Sequence, residues 1–278
     1  MQPISIVGPG AADLAAALAA RLDGRVAVVD CERGSDSALG DGGVATGDAA
    51  AETPAVVTTE IALNADGEWT GRGTVGGLDD LLDGLAPDHD YLVAVGRSRL
   101  RVPTVVLGGD DPDAVPGSPL VSAASASEVD LDTLVSALDD AEPWITRETL
   151  VRRVEASADA DRSGAIATFT GRVRARDASD DDRTTHLAFE TYEGVAAERM
   201  EAISDELAAR DGVFDVRMHH RTGVIEAGED IVFVVVLAGH RREAFRTVED
   251  GIDRLKDEVP IFKKEATEAE EFWVHRRE

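Results

Sequence analysis

Cysteine, lysine and aromatic residues are all scarce in this 278-residue chain. Cysteine occurs once, at Cys31, lysine three times, and Phe, Trp and Tyr together make up 4%. A single thiol excludes an internal disulfide framework and a cysteine-rich zinc site, and no metal site is expected. With so few rings, the cores must rest on Val, Leu, Ile and Ala, and at 43% hydrophobic residues there is enough apolar material for them. No apolar run approaches the ~20 residues that a membrane span requires. The opening MQPISIVGPG lacks a basic segment followed by an apolar stretch, so no secretion signal is expected and the cytoplasm is the simplest location.

Positive charge is also sparse. The chain has 55 acidic residues against 28 basic ones, a net charge of −27, and the basic residues are almost all arginine. High acidity with little lysine and abundant alanine reads as a halophilic adaptation. High salt screens self-repulsion while surface carboxylates hold water. The alternative is an acidic protein of a low-salt cytosol. In either setting the overall field repels nucleic acid and anionic membranes, so neither is an expected partner. A site for an anionic ligand must then be a local basic pocket. The lysines are informative for this reason: Lys256, Lys263 and Lys264 all fall within nine positions.

The length favours two domains. In the first half, Pro3 to Val7 reads as a strand, Gly8-Pro9-Gly10 as a turn, Ala11 to Leu22 as a helix and Val26 to Val29 as a second strand. That order opens a parallel α/β unit. Residues 34 to 50 read as loop. A hairpin is expected from Val56 to Leu63 and near Trp69, then a helix from Leu78 to Leu85 and strands Tyr91 to Val95 and Val102 to Leu107. A loop from Gly108 to Pro119 and a helix from about Glu128 to Leu138 complete the half. A boundary near Asp140 gives domains 1–140 and 141–278. Residues 1–140 carry 7 basic against 24 acidic residues and residues 141–278 carry 21 against 31, so most of the positive charge is in the second half.

The second half mixes strands and helices without βαβ alternation and reads as α+β. Helices are expected from Trp144 through Val154, Gly194 to Arg210 and Arg241 to Val259. The second has Val195, Met200, Ile203 and Leu207 on one face. The third has Phe245, Val248, Ile252, Leu255 and Val259 spaced by three or four, and Pro260 ends it. Strands are expected at Ala165 to Val173, Thr184 to Tyr192, Val213 to Arg221, Ile231 to Leu237, Ile261 to Glu265 and Phe272 to His275, with an acidic loop from Asp177 to Asp182.

Gly8-Pro9-Gly10 stands where a phosphate-binding loop would lie. A P-loop needs G-x-x-x-x-G-K-[ST], and GPGAADLA has neither the lysine nor the hydroxyl. Asp13 occupies the third glycine position of a G-x-G-x-x-G fingerprint, so the plainer reading is a tight turn. The order of elements, with LDDLLDGLAPDHDYLVAVGRSRLRVPTVVLGG, resembles the MobB P-loop adapter of molybdenum-cofactor guanylylation over residues 1–140. The resemblance implies a degenerate form of that mostly parallel α/β fold, and nucleotide binding is not carried over.

Basic groups of the second half gather at element ends. Phe169-Thr170-Gly171-Arg172-Val173-Arg174 closes a strand, and alternation puts Arg172 and Arg174 on one face. His240 and Arg241 open the long helix, where free N–H groups favour anions. Lys256 lies near that helix's end, and Lys263-Lys264-Glu265 follows Pro260. Each has a plainer reading on its own: solvated strand arginines, a turn histidine, a lysine favourable at a helix C-terminus. Together they suit an anionic, phosphate-bearing ligand.

The pattern TFTGRVR, then GHR, then LK and PIFKKE, resembles the large, catalytic subunit of molybdopterin synthase, the MoaE family. HLAFETYEG, HHRTGVIEAGEDIVFVVVLAGHRREAF and EFWV fit the same family, and the resemblance covers about residues 144–278. It implies an α/β hammerhead fold and a homodimer, a heterotetramer with the small subunit. The activity implied is sulfur transfer from the Gly-Gly thiocarboxylate of a ubiquitin-like, MoaD-like sulfur carrier to cyclic pyranopterin monophosphate, giving molybdopterin. No cofactor is expected, because the pterin is the substrate. By motif position Lys256 and Lys263 correspond to the family's pocket lysines. Phe169, Arg172, Val173, Arg174, His240, Arg241, Lys264 and Glu265 belong to its substrate-binding stretches. Lys264 either faces the substrate or only adds to the local field. Phe262 stands where the family often has Trp, and Ala238-Gly239 where a small polar residue is common. Two other readings are a docking module for sulfur carriers without catalysis, and a nucleotide-dependent adapter dominated by the first half.

Overall fold

A computed structural model describes residues 1–31, 59–75, 77–96, 102–108, 119–176, 178, 181–192, 194–267 and 271–274. The expected loop at 34–50, residues 56–58 of the expected hairpin, most of the loop at 108–119, half of the loop at 177–182, and His275 lie outside them. The chain divides into two compact units, Met1–Trp144 and Ile145–Glu278.

The first unit runs β1 (Gln2–Val7), α1 (Ala11–Ala19), β2 (Val26–Asp30), β3 (Glu60–Leu63), β4 (Trp69–Arg72), α2 (Leu78–Leu85), β5 (Tyr91–Val95), β6 (Thr104–Leu107), β7 (Val121–Ala123) and α3 (Leu131–Asp139). A five-stranded sheet of order β2-β5-β1-β6-β7 pairs in parallel throughout, and β3–β4 form a separate antiparallel hairpin. Parallel strands covered on both faces need near-continuous apolar runs, and β1, β5 and β6 supply them. Ile4, Ile6, Val93, Val105 and Leu107 pack with Leu14 and Leu18 of α1 and Leu134 and Leu138 of α3. Leu92 and Ala94 face Leu82 of α2 on the other side.

Helix α3 starts later than expected because Asp130 caps it, accepting from the N–H groups of Asp132 and Thr133 at 2.9 and 3.0 Å. The short strand β7 is an addition to the expected elements. Gly8, at φ +100, is fixed by packing: a Cβ there would lie 2.2 Å from the Leu107 carbonyl oxygen. Trp144 belongs to this unit, its Nε1 donating to Asp83 Oδ1 at 2.7 Å.

The second unit runs α4 (Arg147–Glu155), β8 (Ala165–Arg172), β9 (Thr184–Thr191), α5 (Val195–Ala208), β10 (Val213–His220), β11 (Gly223–Glu226), β12 (Asp230–Ala238), α6 (Arg241–Glu258), β13 (Ile261–Thr267) and β14 (Glu271–Val274). Helix α4 begins after a capping box in which Thr146 and Thr149 satisfy each other's backbone, so Trp144 lies outside it. One antiparallel sheet has the order β10-β12-β8 and a second the order β11-β9-β13-β14.

The run DIVFVVVLA of β12 is apolar on both faces because both are covered. Val232, Val234, Val236 and Ala238 meet Ile203 and Leu207 of α5 and Ala244, Val248, Ile252 and Leu255 of α6. Phe233, Val235 and Leu237 meet Ile145, Leu150 and Val154 on the α4 side. Phe245 departs from the expected apolar stripe. It is 66% exposed, because the buried face of α6 is filled by Ala244, Thr247, Val248, Gly251, Ile252 and Leu255. Val195, at the first position of α5, is exposed as well.

Candidate active site

The register of β8 against β12 sets the layout. Ala165 pairs with Ala238 and Arg172 with Asp230, so the two ends of β8 lie at opposite ends of the sheet. Helix α6 starts directly after β12 and runs back across it and β8. His240 and Arg241 therefore sit at the Ala165 end. Lys256, in the last turn, reaches the other end, with its Nζ 5.9 Å from the centre of the Phe169 ring.

Pro260 stops the helix, and a two-residue junction, Val259-Pro260, leads into β13, which carries Lys263, Lys264 and Glu265. Lys263 is paired with Phe189 and Glu265 with Leu187, both buried, so these two side chains take the inner face of the second sheet. Lys263 Nζ lies 3.9 Å from Glu265 Oε2. Lys264 points to the opposite face, with its Nζ 5.8 Å from the centre of the Trp273 ring. Tyr192 and Phe262 share that outer face as an edge-to-face pair at 5.4 Å.

The Arg172–Arg174 arm leaves β8 at the Lys256 end. Arg172 is tied down by Asp230 at 3.0 Å and by the Gly228 carbonyl. Val173 is buried, so its side chain serves as an anchor. Its N–H donates to the Glu229 carbonyl and its carbonyl accepts from Gly228, both at 2.9 Å. Arg174 is exposed just beyond.

Within one chain, then, Phe169, the arginine arm, Lys256, Lys263 and Glu265 come to one end of the unit, and His240 and Arg241 are held at the other. Residues 241 to 256 of α6 at 1.5 Å per residue place the two groups about 22 Å apart.

The end of α6 is braced by charges that sequence reading missed. Arg254 donates to Glu258 at 2.7 Å and to Glu206 of α5 at 2.6 Å, and Arg199 of α5 also pairs with Glu258. Hydrogen bonds from Arg254 first, and from Arg199, hold the Glu258 carboxyl down to about 2. This clamp fixes the turn that presents Lys256. Only the i,i+4 pair Arg254–Glu258 was readable from spacing.

Away from this site, burial pushes the imidazoles of His219 to about 3, with help from Arg221, and of His220 to about 4. The His220 Nδ1 donates to the Arg221 carbonyl at 2.7 Å. Among the described residues no cluster of His, Cys, Asp or Glu is placed to hold a metal ion, and no helix is long and apolar enough to cross a membrane.

Lysines on either side of a helix–strand junction, beside an arginine arm, concentrate positive charge at one end of the unit, a setting that favours an anionic ligand. Residues 144–258 match the family model described as MoaE protein. The chain is 52% identical over 279 residues to the probable molybdopterin synthase of Haloferax volcanii, covering all of both chains. It is 38% identical over 112 residues to the molybdopterin synthase catalytic subunit of Pyrococcus abyssi, covering 40% of this chain and 74% of that one. The crystal structure of molybdopterin synthase from Staphylococcus aureus aligns with a TM-score of 0.42 at 30% identity, covering 49% of this chain and 93% of that one. The chain belongs to the MoaE family of molybdopterin synthase catalytic subunits, and is an enzyme of molybdenum cofactor biosynthesis.

Proposed function

We propose that the second unit transfers sulfur from the C-terminal thiocarboxylate of a ubiquitin-like, MoaD-like small subunit to cyclic pyranopterin monophosphate, in two rounds that build the dithiolene of molybdopterin. The observation that carries this reading is the placement of Lys256 and Lys263 on either side of the Val259-Pro260 junction, at the end of β8 where the Arg172–Arg174 arm emerges. The lysines neutralise the thiocarboxylate and the charge that develops as sulfur bonds to carbon. One of them protonates the leaving oxygen, and water then cleaves the acyl–sulfur bond, which releases the carrier as a carboxylate. Arg174 takes part in holding the phosphate.

His240 and Arg241 enter this reading from a second copy. The length of α6 keeps them from serving the Lys256 of their own chain, so a complete phosphate site is built from two chains and the working enzyme is a homodimer. Two exposed apolar groups support self-association: Phe245, 66% exposed one turn into α6, and Ile166, 39% exposed on the open edge strand β8. With one carrier per site the assembly is a heterotetramer, and a cytoplasmic location belongs to the same reading.

For the first unit we read a degenerate P-loop type of fold related to MobB. Its support is a parallel sheet with β1 at the centre and the glycine turn at the carboxyl end of β1. The close approach of Gly8 to Leu107 accounts for that glycine without a nucleotide.

The test is to supply the full chain with cyclic pyranopterin monophosphate and a thiocarboxylated carrier. Molybdopterin is expected from the wild type and none from Lys256→Ala, whose circular dichroism stays unchanged. Wild-type turnover by Lys256→Ala would overturn the assignment, and carrier binding without product would leave a docking module.

A further inference from the structure

Thr184 opens β9, and its partner in β13 is Thr267, where the register of the two strands slips between Ala266 and Thr267. The residue is buried, at 5% exposure, and both of its hydrogen-bond donors are committed. Its N–H donates to the Ala175 carbonyl at 2.9 Å, one residue beyond Arg174. Its hydroxyl donates to Glu265 Oε1 at 2.6 Å. The other oxygen of that carboxylate, Oε2, is the one that lies 3.9 Å from Lys263 Nζ. One threonine thus touches the exit of the arginine arm with its backbone and the carboxylate beside the lysine with its side chain.

We propose that Thr184 is a positioning residue that couples the two arms of the site, fixing the Glu265 carboxylate so that it orients Lys263 toward the reacting sulfur. The assignment rests on the sulfur-transfer reading and deepens it. A short hydrogen bond from a buried hydroxyl holds one carboxylate oxygen in place. With that oxygen engaged, Glu265 is restrained from swinging onto Lys263, and the ammonium is oriented but not locked. Without the hydroxyl, the carboxylate collapses onto the lysine and locks the ammonium away from the sulfur.

The experiment compares Thr184→Val, which keeps the shape and loses the donor, with Thr184→Ser, which keeps the donor, both in the full chain. For Thr184→Val, kcat/KM is expected to fall about tenfold, the loss that goes with one hydrogen bond to a charged group. The loss is expected in kcat, with KM for the pterin unchanged. Thr184→Ser restores the wild-type rate. The carbon NMR signal of the Lys263 side chain is expected to shift in Thr184→Val and not in Thr184→Ser, so the coupling is read even if the wild type makes no molybdopterin, a result that would sink the sulfur-transfer reading alone. Glu265→Gln, which leaves Thr184 in place, is expected to lower kcat by a similar factor. A wild-type kcat and an unmoved Lys263 signal in Thr184→Val would overturn the proposal. So would a wild-type kcat in Glu265→Gln, even if Thr184→Val does not fold.

Discussion

Two variants that are each inactive should restore activity when mixed. On the proposed reading Arg241→Ala removes a phosphate contact at the start of α6, and Lys256→Ala removes the pocket ammonium at its end. The helix holds the two positions about 22 Å apart in one chain, farther than a small pterin phosphate reaches. In the proposed homodimer each site therefore draws Arg241 from one chain and Lys256 from the other. Either variant alone spoils both sites, and loss of one charge-stabilising group lowers the rate by about 10²–10³. After mixing in equal amounts with subunit exchange, half the dimers are mixed. Each mixed dimer has one site lacking both groups and one site lacking neither, so about a quarter of the wild-type rate returns. The assay is molybdopterin formation before and after exchange, with exchange followed by mass spectrometry of differently tagged chains. Confirmed exchange with no recovery above the sum of the parents would refute the two-chain site.

Protonation gives two further tests. His219, half-buried, and His220, buried, have imidazoles lowered from 6.5 to about 3 and about 4, so the folded state binds fewer protons than the unfolded one in that range. Their contribution to stability is complete above pH 6.5 and is lost as pH falls toward 4. Nitrogen NMR should find both rings neutral at pH 5.5, and ordinary titration near 6.5 would contradict their burial. Glu258, lowered from 4.5 to about 2, contributes stability above the ordinary carboxylate range that is lost as pH falls through it. Glu258→Gln should flatten the acid side of the melting temperature against pH between those values, and an unchanged profile would remove the clamp from the account. In the core, Phe233→Ala, at 1% exposure between β12 and α4, should cost about 3–5 kcal/mol in denaturant unfolding, and a loss below about 1 kcal/mol would contradict its packing.

Much of the second unit was legible because its signals are local. The run of β12 and the period of α6 need no distant partner to be read. Where the reading failed, small residues were the reason. Ala244, Thr247 and Gly251 carry the buried face of α6, while Phe245 fits the spacing of three and four and still points to solvent. The strands Val121–Ala123 and Gly223–Glu226 are too short to show alternation.

Within the site, two placements could have been read directly. Alternation along β13 separates Lys264 from Lys263, and the length of α6 separates Arg241 from Lys256. Thr184 could not have been found this way, since its carboxylate partner lies 81 residues further on and meets it only through the pairing of β9 with β13.

The central claim is sulfur transfer to the pterin, and a single-turnover reaction read by mass spectrometry tests it most directly. With thiocarboxylated carrier and cyclic pyranopterin monophosphate, the full chain should consume two thiocarboxylates for each molybdopterin formed, with both sulfurs on the product. Thiocarboxylate lost to hydrolysis while the pterin mass stays unchanged would contradict the account.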